Sequence, residues 1–285
     1  MDPVLGKKTI EYLQAKKTRG QKISALTCYD YPTALLEERA GVDIALVGDS
    51  LGTNVLGYSS EREVTMDDIV HHLKAVRRGI STAYLLADLP FRAYETTAQA
   101  LTNASRLVGE GADGVKLEGS RIEIVSHLHN NGIQVWGHLG LNPQIHEKMS
   151  LQAKTASAAA QLVREAAGLE QAGICALILE MIPEDVGKVV TNRVHVPTIG
   201  IGAGRYTDGQ VLIAQDVLGV NSFDLRHVTR YDDLATRIVA AFRRYAEDVE
   251  GSAFPAPGNV RHLSPEEHNK LMDLLGEHVS KPLGT

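Results

Sequence analysis

The sequence predicts a (β/α)8 barrel spanning residues 1–285 as one domain, with a C-terminal extension over 255–285 that ends in a helix. Three observations predict it. Eight short apolar runs alternate with helical stretches along the whole chain, the pattern of parallel strands joined by crossover helices. No composition shift marks a boundary inside the 285 residues, and 44% hydrophobic with 22% charged is ordinary globular usage. Five successive apolar runs end in ionisable residues, which a barrel would gather on one rim. A doubly wound sheet is the competing pattern, but its GxGxxG fingerprint is missing. Gly200-Ile201-Gly202-Ala203-Gly204 comes late and lacks the final spacing.

The elements follow in order. Residues 22–28 form a first strand, and Pro32 opens the next helix at its first turn. Gly41 ends that helix. Residues 43–49 are an unbroken apolar run closed by a carboxylate, as expected of a strand buried on both faces. Residues 51–63 are a Gly- and Ser-rich loop, long enough to be functional. Thr65 caps a helix with Asp67 and Asp68 in its first turn, where the helix dipole favours acids. Residues 83–88 are the third strand and 113–118 the fourth. Ser120 and Glu123 read as a capping box. Residues 133–138 are the fifth strand, 139–155 are irregular, and the alanine-rich stretch 157–172 is helical. Residues 175–180 are the sixth strand, and 183–192 form a short helix. Residues 197–201 are the seventh strand, 208–216 are read as helical, and 218–222 as a weak eighth strand. A long amphipathic helix covers 231–250. After a proline-containing linker, Ser264, Pro265 and Glu267 cap the last helix.

The strand ends carry the chemistry. They read Asp49 and Ser50, then Asp88, then Lys116 and Glu118, then His138, then Glu180. A single acid at a strand end is ordinarily a cap or an ion-pair partner. Several carboxylates on one rim repel each other unless a cation compensates. Two Asp and a Glu without thiolate suit Mg²⁺, which keeps waters and takes substrate oxygens. A cation so held would chelate a 2-oxo acid and stabilise the enolate left when the neighbouring carbon loses a proton. Lys116 and Glu118 are two apart and face one side of their strand, so Lys116 is placed to pair with a substrate carboxylate. Glu180 closes an apolar run, a setting that suits a general base; the alternative is a capping acid ahead of Pro183.

Other classes of function are disfavoured. The formal net charge is −6 with both signs scattered, so neither nucleic acid nor an anionic membrane is an expected partner. The polar N-terminus has no apolar core of a signal peptide, and no apolar run reaches membrane-spanning length. Cys28 and Cys175 lie far apart and read as reduced core thiols, so a cytoplasmic location is expected. His71 and His72 are adjacent on a helix, so their side chains diverge rather than chelate. His127 and His129 are read as solvated. Trp136 is read as packing between barrel and helices. Tyr29 and Tyr31 follow the first strand, where they would line or cover the pocket.

Several stretches together resemble the ketopantoate hydroxymethyltransferase family of the phosphoenolpyruvate/pyruvate barrel superfamily. They include Thr27-Cys28-Tyr29-Asp30-Tyr31, Leu46-Val47-Gly48-Asp49-Ser50-Leu51-Gly52, Leu86-Ala87-Asp88-Leu89-Pro90-Phe91, Gly114-Val115-Lys116-Leu117-Glu118-Gly119, Gly137-His138-Leu139-Gly140-Leu141 and Leu179-Glu180. They run over nearly the whole chain in the family's order. The resemblance implies that Asp49 and Asp88 bind Mg²⁺ with Glu118 close by. It implies that Ser50, Lys116 and His138 contact the 2-oxo acid, beside Asp49 and Asp88, and that Glu180 removes the C3 proton. The enolate would attack the methylene of 5,10-methylenetetrahydrofolate to give 2-dehydropantoate, on the route to pantothenate and coenzyme A. A homo-oligomer, often a decamer, is implied as well. Two segments differ from the family's pattern: Gly57-Tyr58-Ser59-Ser60, and residues 145–154, which are shorter. Both are loops, so they are expected to alter preference and not mechanism. The alternatives are a paralogue acting on another 2-oxo acid and a catalytically silent barrel that binds one. A silent barrel would be expected to lose the base or a metal ligand, and all are present. A mutase-like lyase would bring a reactive loop cysteine, which is lacking.

Overall fold

A computed structural model describes residues 6–146, 150–221 and 225–276. Its first compact unit, through Asp232, is a closed barrel of parallel strands in sequential order. The strands are β1 (Ile23–Thr27), β2 (Ile44–Val47), β3 (Tyr84–Asp88), β4 (Gly114–Lys116), β5 (Val135–Gly140), β6 (Ala176–Glu180), β7 (Thr198–Ile201) and β8 (Gly209–Leu212). β8 closes on β1, with Ile23 opposite Gly209. Between the strands run α2 (Tyr31–Ala40), α3 (Met66–Gly79), α4 (Thr97–Gly109), α5 (Ile122–Asn130), α6 (Ala156–Ala172) and α7 (Glu184–Arg193), preceded by α1 (Ile10–Thr18). The short α8 (Ala214–Val217) follows β8.

Alternation along the strands makes two apolar layers. Ala45, Val47, Leu85, Ala87, Val115, Val135, Leu177 and Leu179 point outward and pack with the helices. Ile44, Leu46, Tyr84, Leu86, Ile178, Ile199 and Val211 fill the barrel. α1 plugs its lower end by putting Leu13 into that inner layer. The lysines of the N-terminal stretch hold the plug in place through acids that immediately precede strands. Lys16 pairs with Asp43 at 2.6 Å, and Lys17 with Asp208 at 2.8 Å. Lys8 is buried and donates to the Gly41 and Val42 carbonyls.

The expected caps at Asp67/Asp68 and Ser264 are present. Thr65 accepts from the Asp68 amide while the Asp68 carboxylate accepts from the Thr65 amide. Three readings need correction. The eighth strand is residues 209–212, inside the stretch 208–216 read as helical, and not 218–222; only Ala214–Val217 is helix there, and Ser222 lies outside the described residues. Gly209 explains the misreading. It looks like a breaker, but a Cβ there would overlap the Ile23 carbonyl, so only glycine lets β8 lie against β1. The box at Ser120 and Glu123 does not form: α5 starts after Arg121 with no side-chain cap. Trp136 is inside the barrel and not outside it. It lies two residues before His138 on β5, so both point inward, and its ring packs against Tyr84 at 5.6 Å with its Nε1 donating to the Tyr84 hydroxyl.

The second compact unit begins at Asp233 and contains α9 (Leu234–Glu250), a 3₁₀ turn at Pro257–Asn259 and α10 (Pro265–Leu275). Within it Tyr245 and Phe254 meet edge to face at 5.7 Å. Among the described residues no helix is long and apolar enough to cross a membrane.

Candidate active site

Each inward-facing column of the charged strands ends in an ionisable residue: Tyr84, Leu86, Asp88 on β3; Gly114, Lys116 and then Glu118 along β4; Trp136, His138 on β5; Ala176, Ile178, Glu180 on β6. Asp49 and Ser50 follow β2 directly. All seven site residues expected from sequence line one cavity of about 120 Å³ at the C-terminal end of the barrel. That is the scale of a small organic acid, well below a drug-sized pocket. A wider hollow of about 630 Å³ beside α1 contains none of them.

Asp49, Asp88, Lys116, Glu118 and His138 are buried, and Glu180 is half-buried at the mouth. Lys116 Nζ lies 3.0 Å from Asp88 Oδ2 and 3.9 Å from Glu118 Oε1. The Asp49 amide also donates to Asp88 Oδ2, at 3.0 Å. His138 Nδ1 is 3.6 Å from Glu118 Oε1, and its Nε2 is 3.2 Å from Glu180 Oε2, off the line of a hydrogen bond. Gly140 ends β5 with φ +102°, and a Cβ there would overlap the Glu180 carbonyl; the glycine lets β5 and β6 stay adjacent at the level of the site.

Burial raises the Asp88 and Glu118 carboxyls above their usual range, with Lys116 pulling both back down and Asp49 adding repulsion. Burial opposes the charge on Lys116, yet Asp88, Asp49 and Glu118 outweigh it and hold the ammonium protonated. Burial lowers His138, against the pull of Glu180, so its imidazole is neutral near pH 7. Three carboxyl groups therefore face one fixed cation, and burial opposes the ionisation of Asp88 and Glu118 where no further cation compensates it. Asp88 Oδ1 is buried with no hydrogen-bond partner. An orphaned carboxyl oxygen among three acids that share one cation fits a divalent cation, which would compensate the charge that burial opposes. Among the described residues no three Asp, Glu, His or Cys side chains form a ready-made cage. The donor set would thus be one or two carboxylates completed by water and substrate oxygens, which is how Mg²⁺ is usually held.

Of three supporting residues, sequence reasoning missed His72 and Gln144 and read Tyr29 only as lining or covering the pocket. Tyr29 is buried and its hydroxyl lies 2.7 Å from Ser50 Oγ; it is a brace beneath the site and not a lid. His72 Nδ1 meets the Tyr29 carbonyl at 2.6 Å. Gln144, in the turn after β5, is buried and donates to Asp49 Oδ2 at 2.7 Å. Nothing in the irregular stretch 139–155 marks Gln144 as special, because the loop's path decides what it touches. The floor is apolar, with Leu46, Ile178, Ile201 and Val211 completing the cavity.

The chain matches the family model described as ketopantoate hydroxymethyltransferase over residues 7–257. It is 46% identical over 255 residues to the 3-methyl-2-oxobutanoate hydroxymethyltransferase of Moorella thermoacetica, covering 87% of this chain and 95% of that protein. It is 47% identical over 247 residues to the enzyme of the same name from Thermus thermophilus, covering 84% and 95%. Among solved structures it is similar in fold to phosphonopyruvate hydrolase, determined with oxalate and Mg²⁺, at a TM-score of 0.58 and 14% identity over 94% of this chain and 98% of that one. 2,3-Dimethylmalate lyase, of the PEP mutase/isocitrate lyase superfamily, gives 0.57 at 14% identity over 94% and 95%. A barrel with this rim, matched along nearly its whole length by curated transferases of one name, is an enzyme that belongs to the ketopantoate hydroxymethyltransferase family.

Proposed function

We propose that the enzyme hydroxymethylates 3-methyl-2-oxobutanoate at C3, with 5,10-methylenetetrahydrofolate as the one-carbon donor and 2-dehydropantoate as the product. The observation that carries the reading is the division of the cavity. Three acids cluster around Lys116, and neutral His138 stands between Glu118 of that cluster and a further carboxylate, Glu180. The names of the relatives support the same substrate.

Asp49 and Asp88, with Glu118 behind them, would hold Mg²⁺, which when bound supplies Lewis-acid stabilisation of negative charge at the keto oxygen. The chain's own residues do the rest. Lys116 and Ser50 orient the substrate carboxylate, and Tyr29 fixes the Ser50 hydroxyl. Glu180 takes the C3 proton and C3 forms the new bond to the donor's methylene carbon; water supplies the hydroxyl oxygen, both bonds from that carbon to the donor's nitrogens break, and tetrahydrofolate leaves, the C3 proton and the two water protons ending on the hydroxyl and the two nitrogens. His138 is uncharged, so it can contact the 2-oxo acid beside the Glu180 carboxylate without neutralising that base. The apolar floor keeps water from the carbanionic carbon.

The test is deuterium exchange at C3 across a panel of 2-oxo acids, with and without Mg²⁺ and without folate. Enzyme- and Mg²⁺-dependent exchange, fastest with 3-methyl-2-oxobutanoate, is the expected result. Exchange that persists undiminished in metal-stripped protein would overturn the metal role, and faster exchange of another acid would reassign the substrate.

A further inference from the structure

We infer that Gln144 selects the cation: it fixes which carboxylate oxygens the site offers and thereby favours Mg²⁺ over Ca²⁺. The inference rests on the proposed metal site. Gln144 is 1% exposed, and its main-chain amide and both ends of its side-chain amide are engaged. Its main-chain amide donates to Glu118 Oε2 at 3.1 Å. Its side-chain amide nitrogen donates to Asp49 Oδ2 at 2.7 Å and to the Leu89 carbonyl at 3.1 Å. Its Oε1 accepts from the Tyr94 hydroxyl at 2.5 Å, and that hydroxyl in turn accepts from the Glu118 amide at 3.3 Å. The amide has one workable orientation. Flipped, its oxygen would face the Asp49 carboxylate and the Leu89 carbonyl, two acceptors with no proton between them.

The consequence is a common pattern in the three acids. Asp49 has Oδ2 tied to Gln144, and Glu118 has Oε2 tied to Gln144. Asp88 has Oδ2 tied to Lys116 and the Asp49 amide, with Oδ1 left unpartnered. Asp49 and Asp88 therefore each have one oxygen held by the protein and can offer the other to a cation, while the second oxygen of Glu118 faces Lys116 and His138. Mg²⁺ demands near-octahedral geometry with single-oxygen ligands and retained waters, whereas Ca²⁺ accepts both oxygens of a carboxylate. Releasing Asp49 Oδ2 would permit two-oxygen binding and favour the larger ion. Gln144 touches neither substrate nor cation in this scheme; it is a positioning residue acting through Asp49 and Glu118.

Calorimetric titration of metal-free protein with MgCl₂ and with CaCl₂ tests this without any turnover. For Gln144→Met, which is similar in size and lacks the amide, the preference for Mg²⁺ over Ca²⁺ should fall ~tenfold through loss of Mg²⁺ affinity with Ca²⁺ affinity kept or improved. Tyr94→Phe leaves the amide less well fixed and should lower the preference ~threefold. If Gln144→Met does not fold, Tyr94→Phe decides alone. Equal weakening of both ions, or an unchanged ratio in a folded variant, would show that Gln144 merely supports its loop and would overturn the inference. A wild type that binds Ca²⁺ as tightly as Mg²⁺ would overturn it while leaving the metal site standing. A wild type that binds neither ion would instead sink the metal reading beneath it.

Discussion

The two halves of the barrel rim are made of opposite materials. From β2 to β6 the strand ends deliver Asp49, Ser50, Asp88, Lys116, Glu118, His138 and Glu180; from β7 and β8 they deliver Ile201, Val211 and Leu212 to the same cavity. The difference explains how so many charges are tolerated and what they are for. Ion pairs and donated hydrogen bonds in a site closed on one side by hydrocarbon are barely screened by water, so each is stronger than at a surface. An apolar half would also be wasted on a fully charged substrate. It suits a small acid with one polar end and one alkyl end, which in the proposed reaction would lie with its carboxylate toward β4 and its alkyl carbon within reach of β6.

The largest test of that division is removal of its base. Glu180→Gln keeps size and hydrogen bonding but not basicity. C3 deuterium exchange should fall by a factor of roughly a hundred or more, with Mg²⁺ binding and folding retained. Exchange at the wild-type rate would mean that the base lies elsewhere on the rim. Next in size is the charged half itself. Asp88→Asn removes an anionic ligand and frees Lys116 from its closest partner. Mg²⁺ affinity by calorimetry should drop ~tenfold to a hundredfold, since carboxylate is a far better ligand for this ion than a carboxamide. Unchanged affinity would remove Asp88 from the ligand set.

Much of the charged half was legible in the sequence because strand parity and strand ends are local properties. A residue at the end of an apolar run must face the rim, and Lys116 and Glu118, two apart, must share a side. The same rule applied to Trp136 and His138 would have placed Trp136 inside. The apolar half was not legible in the same way: β8 begins at a glycine whose purpose is a close approach to Ile23, and closure by β1 is a long-range fact. Gln144 and Tyr94 were illegible for a further reason. Their partners are 95 and 24 residues away in sequence, at Asp49 and Glu118, and no spacing predicts a contact set by the path of a loop.

A carboxylate outside the site sharpens the contrast between compensated and uncompensated burial. Glu37 on α2 is buried beside Cys28, and neither of its oxygens has a hydrogen-bond partner. Burial pushes its carboxyl up to about 8, with the Cys28 thiol pulling slightly down and Asp30 adding to the rise. The folded pKa lies above the unfolded one, so between about 4.5 and about 8 the native state holds a proton that the unfolded chain has lost. Stability therefore falls as pH rises through that window. Glu37→Gln should remove this slope, gaining ~4 kcal/mol over wild type at pH 9 relative to pH 4.5 in urea unfolding. An equal difference at the two pH values would show that Glu37 is ionised throughout.

The smallest effect concerns the apolar half, and it sets that wall against the two loops that depart from the family pattern. Ile201 lies at the end of β7, half-buried on the cavity wall, so shortening it opens space without emptying the core. A missing methylene or two in such a pocket changes discrimination by roughly tenfold. Ile201→Ala should raise kcat/KM for a 2-oxo acid with a bulkier alkyl group, relative to 3-methyl-2-oxobutanoate, by about that factor. The charged half is untouched, so C3 exchange of the smaller acid should persist within about threefold of wild type. Tyr58→Ala in the first loop provides the control: Tyr58 packs at the edge of the outer core, Ser59 and Ser60 edge a neighbouring hollow with His146, and Glu61 and Pro143 line both that hollow and the active-site cavity. If the wall sets the preference, Ile201→Ala shifts the ratio and Tyr58→Ala does not. The reverse result would move specificity from the strands to the loops, and would leave the apolar half with the single task of excluding water from the base and the carbon it deprotonates.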